Sequence, residues 1–339
     1  MVPVTLEREI MRLAFAIPWR DLGSWLFEHL PDGHTGELLF AAPEPHPDRS
    51  PRSSKLPPYL AEFFCLMGRG YKLARYDTVF TWELRCALAI LLLRRLQCAK
   101  TPVIVVGPIL KGGVLKALPL IRPLLAGAAK IICFSSSERD AYASLLRLPA
   151  ERFVFLPTPW AAPSDVPAPT DGGFALALGQ SNRDYATLFR AVAGLEIPVT
   201  VVAADEAPFG GIAPPANVTV RFNTDYATTN ALIPSARLHL IPLHPTGFSS
   251  GQTVLLRAMA AQKACIVSRV PGVTDYVDEN ETAVLVPPGD EAALREALLR
   301  LWGDAKERER LGKNAAQAVA ERFGFVGFVK HLLELIPLR

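Results

Sequence analysis

The sequence predicts an α/β protein of two domains, each a parallel sheet covered by helices. Three observations carry this. The chain has 339 residues, too long for one ordinary core and enough for two. Short apolar, β-rich runs alternate with helical stretches throughout, the pattern of strands buried on both faces. A Pro-rich stretch at 157–170 interrupts the alternation near its middle. Its five prolines, Pro157, Pro159, Pro163, Pro167 and Pro169, each fix φ and remove a donor, so the stretch can be neither helix nor central strand.

In the first half, strands are expected at 13–18, 37–41, 78–81, 102–106, 130–134 and 153–156, with helices at 84–96 and 114–125. Residues 42–57 are rich in proline and charge and read as an exposed loop. After the boundary the alternation restarts. Strands are expected at 174–178, 199–203, 218–222, 238–242, 264–267 and 283–286, and helices at 185–193, 253–261, 291–302, 306–322 and 325–336. The expected domains are 1–160 and 161–322, with 323–339 as a closing helix.

Composition limits the function classes. Half the residues are hydrophobic and a fifth are charged, which is globular rather than disordered. The apolar run at 87–93 is far short of the roughly 20 residues a membrane span needs. The first 12 residues lack a signal-peptide core, so a cytoplasmic protein is expected. Five scattered cysteines without a C-x-x-C pair read as reduced thiols. No D-x-D, H-x-x-x-H or cysteine cluster marks a metal site.

The net charge of +3 is uneven: residues 1–165 carry 20 basic against 15 acidic groups, and 166–339 carry 16 against 18. Solvated helix faces account for the excess on one reading. On the other, the basic half meets an anionic membrane surface or a phosphate-bearing lipid acceptor. No aromatic-and-basic module points to nucleic acid.

The chemistry concentrates in Gly247-Phe-Ser-Ser-Gly-Gln-Thr-Val-Leu-Leu-Arg-Ala-Met-Ala260, a small polar turn running into an amphipathic helix. Ser250 and Thr253 are suited to cap its first N–H groups, and Gly251 lets a ligand approach the backbone. Such a helix N-terminus suits a diphosphate. The chain continues Lys263-Ala-Cys-Ile-Val-Ser-Arg-Val-Pro-Gly-Val-Thr-Asp-Tyr-Val277 and then Glu281-Thr-Ala-Val-Leu-Val-Pro-Pro-Gly-Asp290.

In order and spacing these pieces resemble the donor-binding domain of retaining GT-B glycosyltransferases of glycosyltransferase family 4. Leu178-Gly-Gln-Ser-Asn-Arg-Asp-Tyr185 resembles that domain's first strand–loop–helix. Tyr76-Asp-Thr-Val-Phe-Thr-Trp82 and Ile132-Cys-Phe-Ser-Ser-Ser-Glu138 resemble strand ends of the other domain. The resemblance implies two Rossmann-like domains facing across a cleft, a C-terminal helix crossing back to the first, and a nucleotide-sugar donor held by the second. It implies metal-independent hexosyl transfer with retention to a glycan or lipid-linked acceptor, without a cofactor, as in bacterial envelope polysaccharide synthesis; contact of the basic half with the inner membrane is one of the two readings of the charge excess.

The implied donor-binding residues are Gly179, Gln180, Asn182, Phe222, Asn223, Ser249, Ser250, Gly251, Gln252, Thr253 and Arg257. Gln180 stands where the family has an arginine, and Arg183 falls near the family's diphosphate-gripping lysine. A guanidinium there could bind phosphate in a bidentate manner, so Arg183 is the expected catalytic cation. His244 is the expected second catalytic residue, placed to hydrogen-bond the donor sugar.

Phe222 and Asn223 lie where the nucleobase is met. Ser249 and Arg257 occupy the family's Glu-x7-Glu positions, and Arg257 can only donate hydrogen bonds. Either Arg257 serves a changed donor, or donor binding has been lost and the protein is a non-catalytic scaffold. In the first half, Gly23 follows the first strand, and Lys111 lies in a glycine-containing turn that reads as an acceptor-phosphate site or as an ordinary turn.

Overall fold

A computed structural model describes residues 10–17, 24–40, 58–160 and 168–337. In chain order the elements are β1 (Arg12–Ile17), α1 (Ser24–Glu28), β2 (Thr35–Phe40), α2 (Pro58–Gly68), β3 (Thr78–Trp82), α3 (Leu84–Leu96), β4 (Val103–Val106), α4 (Gly113–Lys116), α5 (Leu118–Leu125), β5 (Lys130–Cys133), α6 (Ser136–Leu146) and β6 (Phe153–Phe155). They continue as β7 (Ala175–Leu178), α7 (Tyr185–Val192), β8 (Val199–Ala203), β9 (Val218–Phe222), α8 (Tyr226–Ser235), β10 (Leu238–Ile241), α9 (Gln252–Ala260), β11 (Cys265–Ser268), α10 (Pro271–Thr274), β12 (Val284–Val286), α11 (Glu291–Gly303), α12 (Ala305–Arg322) and α13 (Phe325–Glu334).

The chain divides into two compact units. One comprises Met1–Cys133, Arg139–Leu156 and Val329–Arg339; the other comprises Phe134–Glu138 and Pro157–Phe328. The first holds a six-stranded parallel sheet in the order β2-β1-β3-β4-β5-β6. Its strands carry almost unbroken apolar runs such as Leu13–Ile17 and Val103–Val106, all buried, as a sheet covered on both faces requires. Phe15 of β1 stacks on Phe80 of β3 with ring centroids 5.3 Å apart. Helix α3 is buried at Leu84, Cys86 through Leu91 and Leu93, nearly all round, so it lies within the apolar layer rather than at its surface.

The second unit holds a parallel sheet in the order β12-β11-β10-β7-β8-β9. Buried Leu176, Val201, Leu240 and Ile266 fill its strands, and α7, α9, α11 and α12 present their apolar faces to it. Helix starts follow local chemistry. Asp184, Asp225, Asp290 and Asp304 each accept a backbone N–H three residues on, capping α7, α8, α11 and α12.

All twelve expected strands are present, with ends shifted by two residues at most. The single helix expected at 114–125 is two, α4 and α5. Pro119 in the first turn of α5 lacks an N–H to continue α4. Helices α1, α2, α6, α8 and α10 have no counterpart among the helices expected from the sequence. The loop expected at 42–57 lies outside the described residues, as does 161–167 of the boundary segment; 157–160 and 168–170 form neither helix nor strand.

Candidate functional site

In the second sheet β7 lies between β10 and β8, so the chain order reverses at β7. Loops leaving the carboxyl ends of such neighbouring strands diverge and open a crevice, the usual ligand position in an α/β sheet. Here those loops are residues 179–184 and 242–251, and they are tied to each other. Asn182, at φ 59°, donates from Nδ2 to His244 O at 2.7 Å and to Ser250 Oγ at 2.9 Å. The His244 N–H donates to Asn182 O at 3.2 Å, and the Asp184 N–H to Pro242 O at 3.1 Å. Sequence reading named Asn182 only as a donor contact; its larger visible work is to clamp the two loops.

Helix α9 starts at the end of the second loop. Gly251 is its N-cap at φ 90°, where a β-carbon would lie 2.8 Å from Leu243 Cδ1. No side chain caps the helix. Ser250 and Thr253 do not take the capping role expected of them: the Ser250 hydroxyl accepts from Asn182, and Thr253 is exposed in the first turn. The leading N–H groups of Gln252, Thr253 and Val254 therefore stay open to an anion, at the positive end of the helix dipole.

Gln252 is buried, and its Nε2 donates to Gly272 O at 2.7 Å. A β-carbon at Gly272 would come within 2.9 Å of Ser249 Cα, so that glycine is set by the closeness of the bend. The Ser249 N–H donates to Glu138 Oε1 at 2.6 Å, and Ser249 Oγ is buried without a hydrogen-bond partner. Position 249 thus lacks its own carboxylate but lies against that of Glu138, whose other oxygen accepts the Phe134 N–H at 3.1 Å. Glu138 was visible in sequence only as part of a strand-end pattern.

Arg183 requires a correction. Its side chain is turned inward and only 4% of the residue is exposed. Nε donates to Leu178 O at 3.0 Å and Nη1 to Ser181 O at 2.9 Å. The guanidinium lies against Gly179, where a β-carbon would stand 2.2 Å from Nη2. Burial lowers its proton affinity, and no carboxylate pairs with it among the described residues. The cation expected to grip phosphate instead fastens the turn that positions Asn182. Gln180, at the family's arginine position, is exposed in that turn.

His244 is exposed, with Nδ1 3.7 Å from Asp184 Oδ2. Asp184 is buried and accepts from Thr187 N at 3.0 Å and Thr187 Oγ1 at 2.7 Å, so its carboxylate is fixed beside the imidazole without hydrogen-bonding it. Phe222, at the end of β9, is exposed, and Asn223 follows at φ 50° with its N–H on Ala203 O.

Arg257 on α9 donates to Asn230 Oδ1 of α8 and stands over the Tyr226 ring at 5.5 Å. Both partners are uncharged, and burial pushes the guanidinium's pKa down. In the first unit Lys111 is exposed beside Gly112, which starts α4 at φ 54°; Gly23 lies outside the described residues. No group of three or more His, Cys, Asp or Glu side chains suited to a metal occurs among the described residues.

Residues 212–304 match the family model of "Glycosyl transferases group 1". The capsular polysaccharide biosynthesis glycosyltransferase CapM of Staphylococcus aureus is 32% identical over 84 residues, a stretch that is 25% of this chain and only 21% of CapM. Sucrose-phosphate synthase from Thermosynechococcus elongatus superimposes with a TM-score of 0.71 at 17% identity, covering 96% of this chain and 98% of that one. Anabaena Alr3699/HepE in complex with UDP-glucose gives 0.68 at 13% identity, covering 96% and 98%. The lipopolysaccharide outer core galactosyltransferase WaaB gives 0.68 at 15%, covering 96% and 99%. The fold is GT-B, and the group 1 pattern read from the sequence has its match over residues 212–304.

Proposed function

With a GT-B fold and a group 1 glycosyltransferase pattern over residues 212–304 as premise, we propose that this protein transfers a hexosyl group from a nucleotide-sugar donor to a glycan or lipid-linked acceptor. The observation that carries the reading is the uncapped N-terminus of α9, held by the Asn182 clamp at the strand-order reversal of the second sheet. The donor's diphosphate accepts from the leading N–H groups of α9, with the helix dipole offsetting the negative charge that grows on it as the glycosidic bond breaks. His244, beside Asp184 at the mouth of the crevice, hydrogen-bonds the sugar, and the nucleobase lies by Phe222 and Asn223. Arg257 can meet only an acceptor group, so it faces a ribose oxygen or a phosphate.

Transfer proceeds with retention. The acceptor oxygen bonds to the anomeric carbon on the face the diphosphate leaves, and the acceptor's proton passes to the departing phosphate oxygen. This step needs no protein nucleophile and no metal. The likeness to CapM, a capsular polysaccharide biosynthesis glycosyltransferase, supports a role in envelope polysaccharide synthesis, and the basic excess of residues 1–165 supports contact with an anionic membrane.

Calorimetric titration with uridine, guanosine, adenosine and thymidine diphosphates tests the reading. One of them binds with a Kd of millimolar or below, and Asn182→Ala weakens it at least several-fold. The replaced Glu-x7-Glu pair favours a second reading, a glycan- or partner-binding scaffold, and silence with all four nucleotides would decide for it.

A further inference from the structure

The opposite edge of the second sheet carries a separate basic pocket. Asp171, Arg237 and Lys263 precede β7, β10 and β11, so they gather at the amino ends of the strands, away from the crevice described above. Together with Thr170, Arg308 and Lys313 they line a pocket of about 410 Å³.

Its inner charges do not balance. Arg237 Nε donates to both Asp171 oxygens at 2.9 Å, and Arg308 Nη2 stands 3.8 Å from the same carboxylate. Arg308 is further fixed by donating to Leu301 O at 2.7 Å and Trp302 O at 2.8 Å, and the Arg237 guanidinium lies 4.2 Å above the Trp302 ring. Lys263 is 6% exposed, and its ammonium donates to the carbonyl of Thr170. Among the lining residues, three inner cations therefore gather around one carboxylate, with Asp304 acting on Arg308 from just outside the lining. At the rim, Lys313 and Glu309 cancel each other at 2.6 Å.

A buried ammonium with a single neutral acceptor costs free energy until an anion arrives. The excess of two positive charges matches a phosphate monoester, which carries about −1.5 to −2 near neutral pH. The pocket's volume exceeds that of a bare phosphate and leaves room for a small polyol or sugar. We propose that this pocket binds the phosphate monoester of a small metabolite, with Lys263, Arg237 and Arg308 holding the phosphate. Burial pushes the Lys263 pKa down to about 8; attraction to Asp171 opposes this and repulsion from Arg308 adds to it.

The test is a thermal-shift and calorimetric comparison of glucose 6-phosphate, inorganic phosphate and glucose at constant ionic strength. Glucose 6-phosphate raises the Tm by several degrees and binds with a Kd below 1 mM; glucose does neither, and inorganic phosphate binds at least several-fold more weakly. Lys263→Met weakens the sugar phosphate at least tenfold while leaving any nucleoside diphosphate response unchanged. That separates this site from the crevice, whose reading stands or falls independently.

Lys263→Gln, which keeps a donor for Thr170, provides the same readout if the methionine variant does not fold. No response of the wild-type protein to glucose 6-phosphate, or an equal response in the Lys263 variant, overturns the site. Equal binding of inorganic phosphate overturns the metabolite assignment.

Discussion

Gly179 has no room for a side chain, because a guanidinium occupies the place. Its φ of 127° is outside the range of L-residues, and Arg183 covers its Cα. Gly179→Ala is therefore expected to cost about 2–4 kcal/mol and lower the Tm by at least ~5 °C in a thermal melt; a Tm within 1 °C of wild type would contradict the packing described. His239 acts through protonation. It is fully buried on β10, with Nε2 3.0 Å from Ile233 O and Nδ1 unpartnered. Burial holds its pKa down to about 4, against about 6.5 in an unfolded chain. Between those values the unfolded state binds more protons, so this contribution is present in full above pH 6.5 and is lost as the pH falls towards 4. Its total is about 3 kcal/mol. Urea midpoints at pH 7, 6 and 5 should fall more steeply for wild type than for His239→Leu, since carboxylate contributions are common to both; parallel slopes would refute it.

At the scale of elements, two helix glycines predict opposite outcomes. Gly312 of α12 lies where a β-carbon would be 2.1 Å from Gln262 O, so the helix rests directly on the turn that joins α9 to β11. Gly312→Ala should destabilise by about 2 kcal/mol or more. Gly327 of α13 would meet nothing within 4 Å, and Gly327→Ala should stabilise by about 0.5–1 kcal/mol. Denaturant titration of both variants checks the pair, and a shared sign would be inconsistent with it. Legibility in the sequence divides along similar lines. Strands were readable because burial on both faces forces unbroken apolar runs such as 103–106, and α3, α9 and α11 because they carry enough apolar residues. Helix α8 was not: YATTNALIPS has no apolar stripe and carries a proline next to its last residue, and its start is set by Asp225 accepting from Thr228. The same limit governed the site. The Gly251 turn into α9 announces itself locally, whereas Ser249 and Arg257 find their partners, Glu138 and Asn230, on other elements of the fold, and the inward turn of Arg183 onto its own loop is a side-chain choice that spacing does not reveal.

At the scale of the molecule, charge is divided unevenly along the chain, +5 in residues 1–165 and −2 in 166–339. Sedimentation with phosphatidylglycerol vesicles should bring the protein down at 50 mM salt and release it at 300 mM, while neutral phosphatidylcholine vesicles should not retain it. Binding to both vesicle types, or to neither at low salt, would rule out the electrostatic account. Among the described residues no helix is long and apolar enough to cross a membrane. The division of the chain into units also sets a timetable. The first unit draws on residues up to Leu156 and again from Val329, with the whole of Pro157–Phe328 emerging in between. At roughly 5–20 residues per second on the ribosome, its early portion waits on the order of 10–30 seconds for its final segment. A nascent chain thus finishes its later-made unit before its earlier one, and chaperone demand should peak during that interval.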